Sequence, residues 1–221
     1  MESIASQNIG FSILILVGVA LFVPCLSSLV NILPMLLAGM FRAKENITLH
    51  NSAKLIRRRN SVALAMIIPF VVMCARYGIY PPAERLCGTV PIGSSSVMVS
   101  ALVTFAAFFA YLLLRFLCNL IFAWGKVRSD DFACAREVPF SFFILMALIM
   151  AITIPILSLC GTDYFFIKGF LYWEICGIYA LCIIRRTQIF IINRGILAGI
   201  LYICGVEILP TGMLVASCML F

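Results

Sequence analysis

The 221-residue chain is poor in histidine, holding only His50. That count excludes bis-histidine haem ligation, histidine-rich metal sites and the zincin-type H-E-x-x-H helix. Charge is also scarce, at 11% of residues, and only nine side chains are acidic. No G-x-S-x-G, G-x-G-x-x-G or Walker sequence occurs, and no serine is matched in depth by a histidine or lysine. No catalytic constellation, metal site or cofactor is therefore expected. Ten cysteines are present, but no two are spaced as C-x-x-C, which argues against a disulfide oxidoreductase. Most fall inside apolar runs, where cysteine packs as a small hydrophobe.

What the chain has instead is apolar side chains, 64% of the total. This lies far outside the range of soluble domains and reads as an all-α integral membrane protein with the lipid bilayer as its solvent. Runs such as ALVTFAAFFAYLLL and FFILMALIMAITIPIL do not alternate, so helices are expected and a barrel is not. Six spans are predicted, near 10–30, 61–80, 98–123, 139–159, 165–184 and 195–219, in a single polytopic domain over 1–221. The first apolar run is preceded by MESIASQNIG, which lacks a basic residue, and is read as a retained span, not a cleaved signal.

Basic residues set the predicted orientation. With the N-terminus outside, twelve of the sixteen Lys and Arg residues fall in inside loops, leaving Arg85 and Lys168 in outside ones. Both termini are then outside. The inside segment between the first two spans, Asn31 to Asn60, begins apolar and ends in Arg57, Arg58 and Arg59. It suits an interfacial helix whose basic residues meet lipid headgroups. Nucleic acid is not an expected partner, because one short basic cluster without aromatic interleaving is no binding module. Cys87 and Cys160 both fall outside in this topology; two separate thiols are the preferred reading and a bridge the alternative.

Charges inside the spans are the candidate functional groups. At about 1.5 Å per residue from the inner helix ends, Arg115 lies roughly 13 Å deep, Glu174 about 15 Å and Glu207 about 18 Å. Such groups pair within a bundle. Arg115 and Glu207 are the expected pair, with Glu174 competing or sharing and Asn119 one turn from Arg115. Pro210 lacks an amide hydrogen and should free the carbonyl of Val206, to which a protonated Glu207 could donate. Arg76, near an outer end, is expected to snorkel. A clamp that fixes helix packing is preferred over a proton or solute path for this cluster.

The stretch FRAKENITLHNSAKLIRRRNSVAL, the basic residue in YLLLRFLCNLIFAW and the terminal LYICGVEILP carry a resemblance. They are similar to an uncharacterised family of six-helix membrane proteins of Bacteroidota, domain of unknown function 4271. Tyr202, Cys204, Glu207 and Pro210 match its terminal Tyr-x-Cys-x-x-Glu-x-x-Pro pattern. The resemblance implies a multi-pass protein of the bacterial inner membrane and supplies no activity. Two functions stand open: a scaffold or interaction subunit of a cell-envelope complex, ranked first with a membrane-protein partner, and a small-solute or proton-coupled transporter. Transport would favour internal repeats, and the two halves show none.

Overall fold

The computed structural model describes residues 2–41, 53–82, 95–124, 130–194 and 196–220. These residues are helical almost throughout, and no strand occurs among them. In chain order the elements are α1 (Glu2–Phe41), α2 (Ala53–Arg76), α3 (Ser95–Trp124), α4 (Asp130–Leu159), α5 (Tyr164–Arg194) and α6 (Ile196–Ile203). A π-helical turn (Cys204–Ile208) and α7 (Leu209–Leu220) follow.

Among the described residues five stretches are long and apolar enough to cross a membrane: Phe22–Met40, Lys54–Arg76, Val99–Ile121, Glu137–Leu159 and Tyr164–Ile189. The chain is thus an all-helical, multi-pass membrane protein by length and composition. The last apolar stretch, predicted as one helix over 195–219, is divided by the π turn. Pro210 supplies the reason: in an α-helix its ring would press on the carbonyl of Val206. Opening the turn by one residue gives room, and Leu209 N–H reaches back five residues to the Cys204 carbonyl.

Among the described residues no separate interfacial helix forms within the segment Asn31 to Asn60. Residues 31–41 continue α1, residues 53–60 open α2, and 42–52 lie outside the described residues. Ile32 and Leu36 are buried with Leu29 against Met66, Phe70 and Cys74 of α2, so packing between two helices, not a lipid surface, takes up the apolar face. At 40 residues α1 is about 60 Å long, roughly twice the hydrocarbon thickness.

α4 and α5 form a hairpin. Gly161 takes φ 69°, and Thr162 N–H reaches back five residues to the Leu157 carbonyl at 3.3 Å. Gly78 ends α2 in the same way, at φ 55°, with Ile79 N–H to the Cys74 carbonyl at 2.9 Å. Both are left-handed helix caps that favour glycine. Phe70, Phe108 and Phe143 cluster at 5.2 to 5.6 Å between centroids, Phe70 edge-on to Phe143 and Phe108 stacked on it, and join α2, α3 and α4. Beyond that contact α3 presents Leu102, Phe109, Phe116 and Ile121 outward, as a helix in lipid does.

A second apolar cluster lies around Val138 and Phe142 of α4, Ile178, Cys182 and Ile189 of α5, and Tyr202 and Val206. It packs beside the polar residues described next.

Candidate functional site

On α3, Tyr111, Arg115 and Asn119 recur every fourth residue and so share one stripe. On α5, Tyr179, Cys182 and Arg186 do the same at spacings of three and four. Along their helices Arg115 lies about 13 Å from Trp124, Arg186 about 12 Å from Arg194, and Glu207 about 16 Å from Ile196. Three elements therefore bring charge to one level.

Glu207 is the centre of the arrangement. Its Oε1 accepts from Arg115 Nη2 at 2.5 Å and also meets Arg186 Nη1. Its Oε2 accepts from Tyr179 Oη at 3.1 Å. Arg186 Nη2 donates to Tyr202 Oη, its guanidinium lies 5.1 Å from the Tyr202 ring centroid, and that hydroxyl donates to Asn119 Oδ1 at 3.1 Å. Asn119 Nδ2 closes the circuit on the Arg115 carbonyl at 2.8 Å. Arg186 and Glu207 are 0% and 1% exposed. One carboxylate thus faces two guanidiniums inside the bundle. The arrangement joins α3, α5 and the π turn through charge-assisted hydrogen bonds.

The π turn aims this carboxylate. By widening the helix between Cys204 and Ile208 it shifts the facing of Glu207 relative to α6, which carries Tyr202. Thr211 Oγ1 donates to the Glu207 carbonyl at 2.5 Å and steadies the turn beyond Pro210. The carboxyl does not donate to the Val206 carbonyl as the sequence suggested; its bonds go to the two arginines and Tyr179.

Arg115, Asn119, Glu207 and Pro210 are thus brought together, whereas Glu174 stands apart. Glu174 precedes Tyr179 by five residues, which places it about 140° round α5. Its Oε2 lies 3.0 Å from Thr153 Oγ1 on α4 instead. Sequence reasoning missed Arg186, which it assigned to an inside loop with Arg185; α5 continues to Arg194, so both lie within the helix, and Arg186 is the one that is buried. The available signal was the spacing from Tyr179 to Arg186, a pair two turns apart. Arg185, one residue away, faces elsewhere and donates Nε to the Met40 carbonyl near the end of α1 at 2.8 Å.

The basic triplet divides in the same manner. Arg57 is exposed and Arg58 half-buried, but Arg59, expected at the headgroups, is turned inward and is 2% exposed. Its Nη2 bonds Glu137 Oε2 at 2.7 Å, tying the start of α2 to α4. Successive residues point about 100° apart, so three neighbours cannot share one face.

Among the described residues no three His, Cys, Asp or Glu side chains converge as metal ligands. Cys160 is a free thiol, and Cys87 lies outside the described residues. Arg76 is exposed at the end of α2. No known protein family, curated protein or solved structure matches the chain.

Proposed function

We propose that this chain is an interaction or scaffold subunit of a cell-envelope complex in the bacterial inner membrane. It has six spans with both termini outside, counting the divided helix over 196–220 as the sixth, in one polytopic domain of the family that its terminal motif resembles. Burial of Arg186 and Glu207 supports a clamp that holds helices together. The observation that carries the interaction reading is the charge left over: two guanidiniums share one carboxylate. Arg115 keeps 14% of its side chain open on α3, whose other faces are broadly exposed. An excess cation in hydrocarbon costs about 2.5 to 3.5 kcal/mol on insertion scales, and a partner helix bearing an acid against Arg115 would remove that cost. Purification from native membranes in a mild detergent should yield a stoichiometric membrane protein with a buried Asp or Glu. Arg115→Gln should release it.

The second reading, a proton-coupled transporter, rests on the linked hydroxyls of Tyr179 and Tyr202 on either side of the ion cluster. A chain that purifies alone and acidifies dye-loaded liposomes under a solute gradient would establish it in place of the first.

A further inference from the structure

Glu174 lies ten residues into α5, about 15 Å from Tyr164, within the candidate span Tyr164–Ile189. Its Oε2 is 3.0 Å from Thr153 Oγ1, and its Oε1 is buried without a hydrogen-bond partner. Thr153 Oγ1 is also 3.0 Å from the Ile149 carbonyl and 3.3 Å from that of Met150. A hydroxyl has one hydrogen to give and two lone pairs with which to accept. If Thr153 gives its hydrogen to a carboxylate, the second carboxylate oxygen is left charged, buried and unbonded, which is the costliest state for a polar atom. If Glu174 is a carboxylic acid, its O–H donates to Thr153, Thr153 donates to the Ile149 carbonyl, and only a neutral oxygen lacks a partner.

The surroundings agree with the acid. No lysine or arginine among the described residues forms an ion pair with Glu174. On α5, Lys168 is about 120° round the helix, and Arg185, about 16 Å along, is engaged with Met40 and Gln188. Arg186 and Tyr179 face Glu207. On α4, Glu137 is about 24 Å from Thr153 and bound to Arg59, and Cys160 is about 10 Å the other way. α6 brings only Tyr202, and α1 from Phe22 onward only Cys25. Cys74, Arg76 and Tyr77 of α2 stand near its outer end, where Tyr172 Oη donates to the Ile79 carbonyl at 2.5 Å. The flank is open: Trp173 is 81% exposed, and a methyl group added at Gly177, one turn on, would meet nothing within 4 Å.

We propose that Glu174 is a proton-binding site reached from the lipid: at neutral pH it carries its hydrogen, donated to Thr153. This inference stands independently of the scaffold and transport readings. Such an acid is open to an apolar carbodiimide. The O–H adds across one C=N bond, the proton passing to nitrogen and the carboxyl oxygen to the central carbon, and the acyl group then migrates to nitrogen. Nothing leaves, and nothing is oxidised.

The full-length protein in native membranes, treated with N,N′-dicyclohexylcarbodiimide and digested for mass spectrometry, should carry one reagent mass on the peptide holding Glu174. Labelling should fall about tenfold per pH unit once the acid ionises. Glu174→Gln should remove both the adduct and a protonated-carboxyl infrared band, while Asp163→Asn, at an exposed position in the α4–α5 turn, should leave the adduct in place. Absence of an adduct in folded protein, with unfolded protein labelled under the same conditions, overturns the proposal. So does labelling of Glu207 in its stead, or protection by sodium at constant pH, which would assign the carboxylate to a metal cation.

Discussion

Arg115 and Glu207, 92 positions apart in the chain, meet at 2.5 Å and join α3 to the π turn. The same carboxylate oxygen serves Arg186, so the contact is half of a three-charge arrangement whose members do not contribute independently.

Removing the carboxylate should therefore hurt most. Glu207→Gln leaves two guanidiniums without their counter-charge, and breaking a buried pair in this way costs about 3 to 5 kcal/mol. Arg115→Met should cost less, because Arg186 still neutralises Glu207. Combining the two should recover part of the loss, with a coupling of about 0.5 to 3 kcal/mol read from thermal melting in detergent. Strict additivity would show that the groups are not coupled.

Arg186→Lys should fail to restore the native melting temperature. A lysine offers a point charge and cannot span Glu207 and Tyr202 with a planar fork. Arg185→Lys, at a half-buried site that donates to the Met40 carbonyl and Gln188, should be milder. Comparing the two variants by melting in one detergent checks the assignment of faces.

Within the basic triplet, Arg59→Ala should lower stability by about 1.5 to 3 kcal/mol by removing a charge-assisted hydrogen bond between α2 and α4. Arg57→Ala, on the exposed side, should stay within about 0.5 kcal/mol. Equal effects at the two positions would contradict the inward turn of Arg59.

Gly161→Ala tests the α4–α5 hairpin cap. Space for the methyl group is open, so the cost should be conformational alone, about 1 to 2 kcal/mol for a left-handed backbone. Gly169→Ala in α5, where the added methyl also meets nothing within 4 Å, should be neutral or stabilising. The pair of melting curves separates backbone strain from steric effects.

Orientation is checked by accessibility. In a background without native cysteines, Ser95→Cys should react with an impermeant thiol reagent from outside and Ser52→Cys only from inside. Reaction of both from one side would refute the six-span arrangement.

Much of this protein was legible in its sequence, and the reason is that distance along a helix is linear. Apolar runs of span length, bounded by basic clusters, determine an all-helical multi-pass membrane protein. A constant rise per residue puts Arg115 and Glu207 at similar depth from their positions in the chain alone. Pro210 likewise announces a disturbance in the last helix, though not that a widened turn would absorb it.

Azimuth was the part that only the tertiary structure decided. Apolar residues surround most of these helices, so no polar stripe states which side faces a neighbour, and in lipid that choice is made by van der Waals packing and hydrogen bonding between helices. Packing turned Arg59 inward while Arg57 stayed out, and gave Arg185 to Met40 and Arg186 to Glu207. It also left Glu174 with Thr153, about 18 Å along α5 from Arg186. A sequence orders these residues along the membrane normal; only the packed helices fix which way each one points.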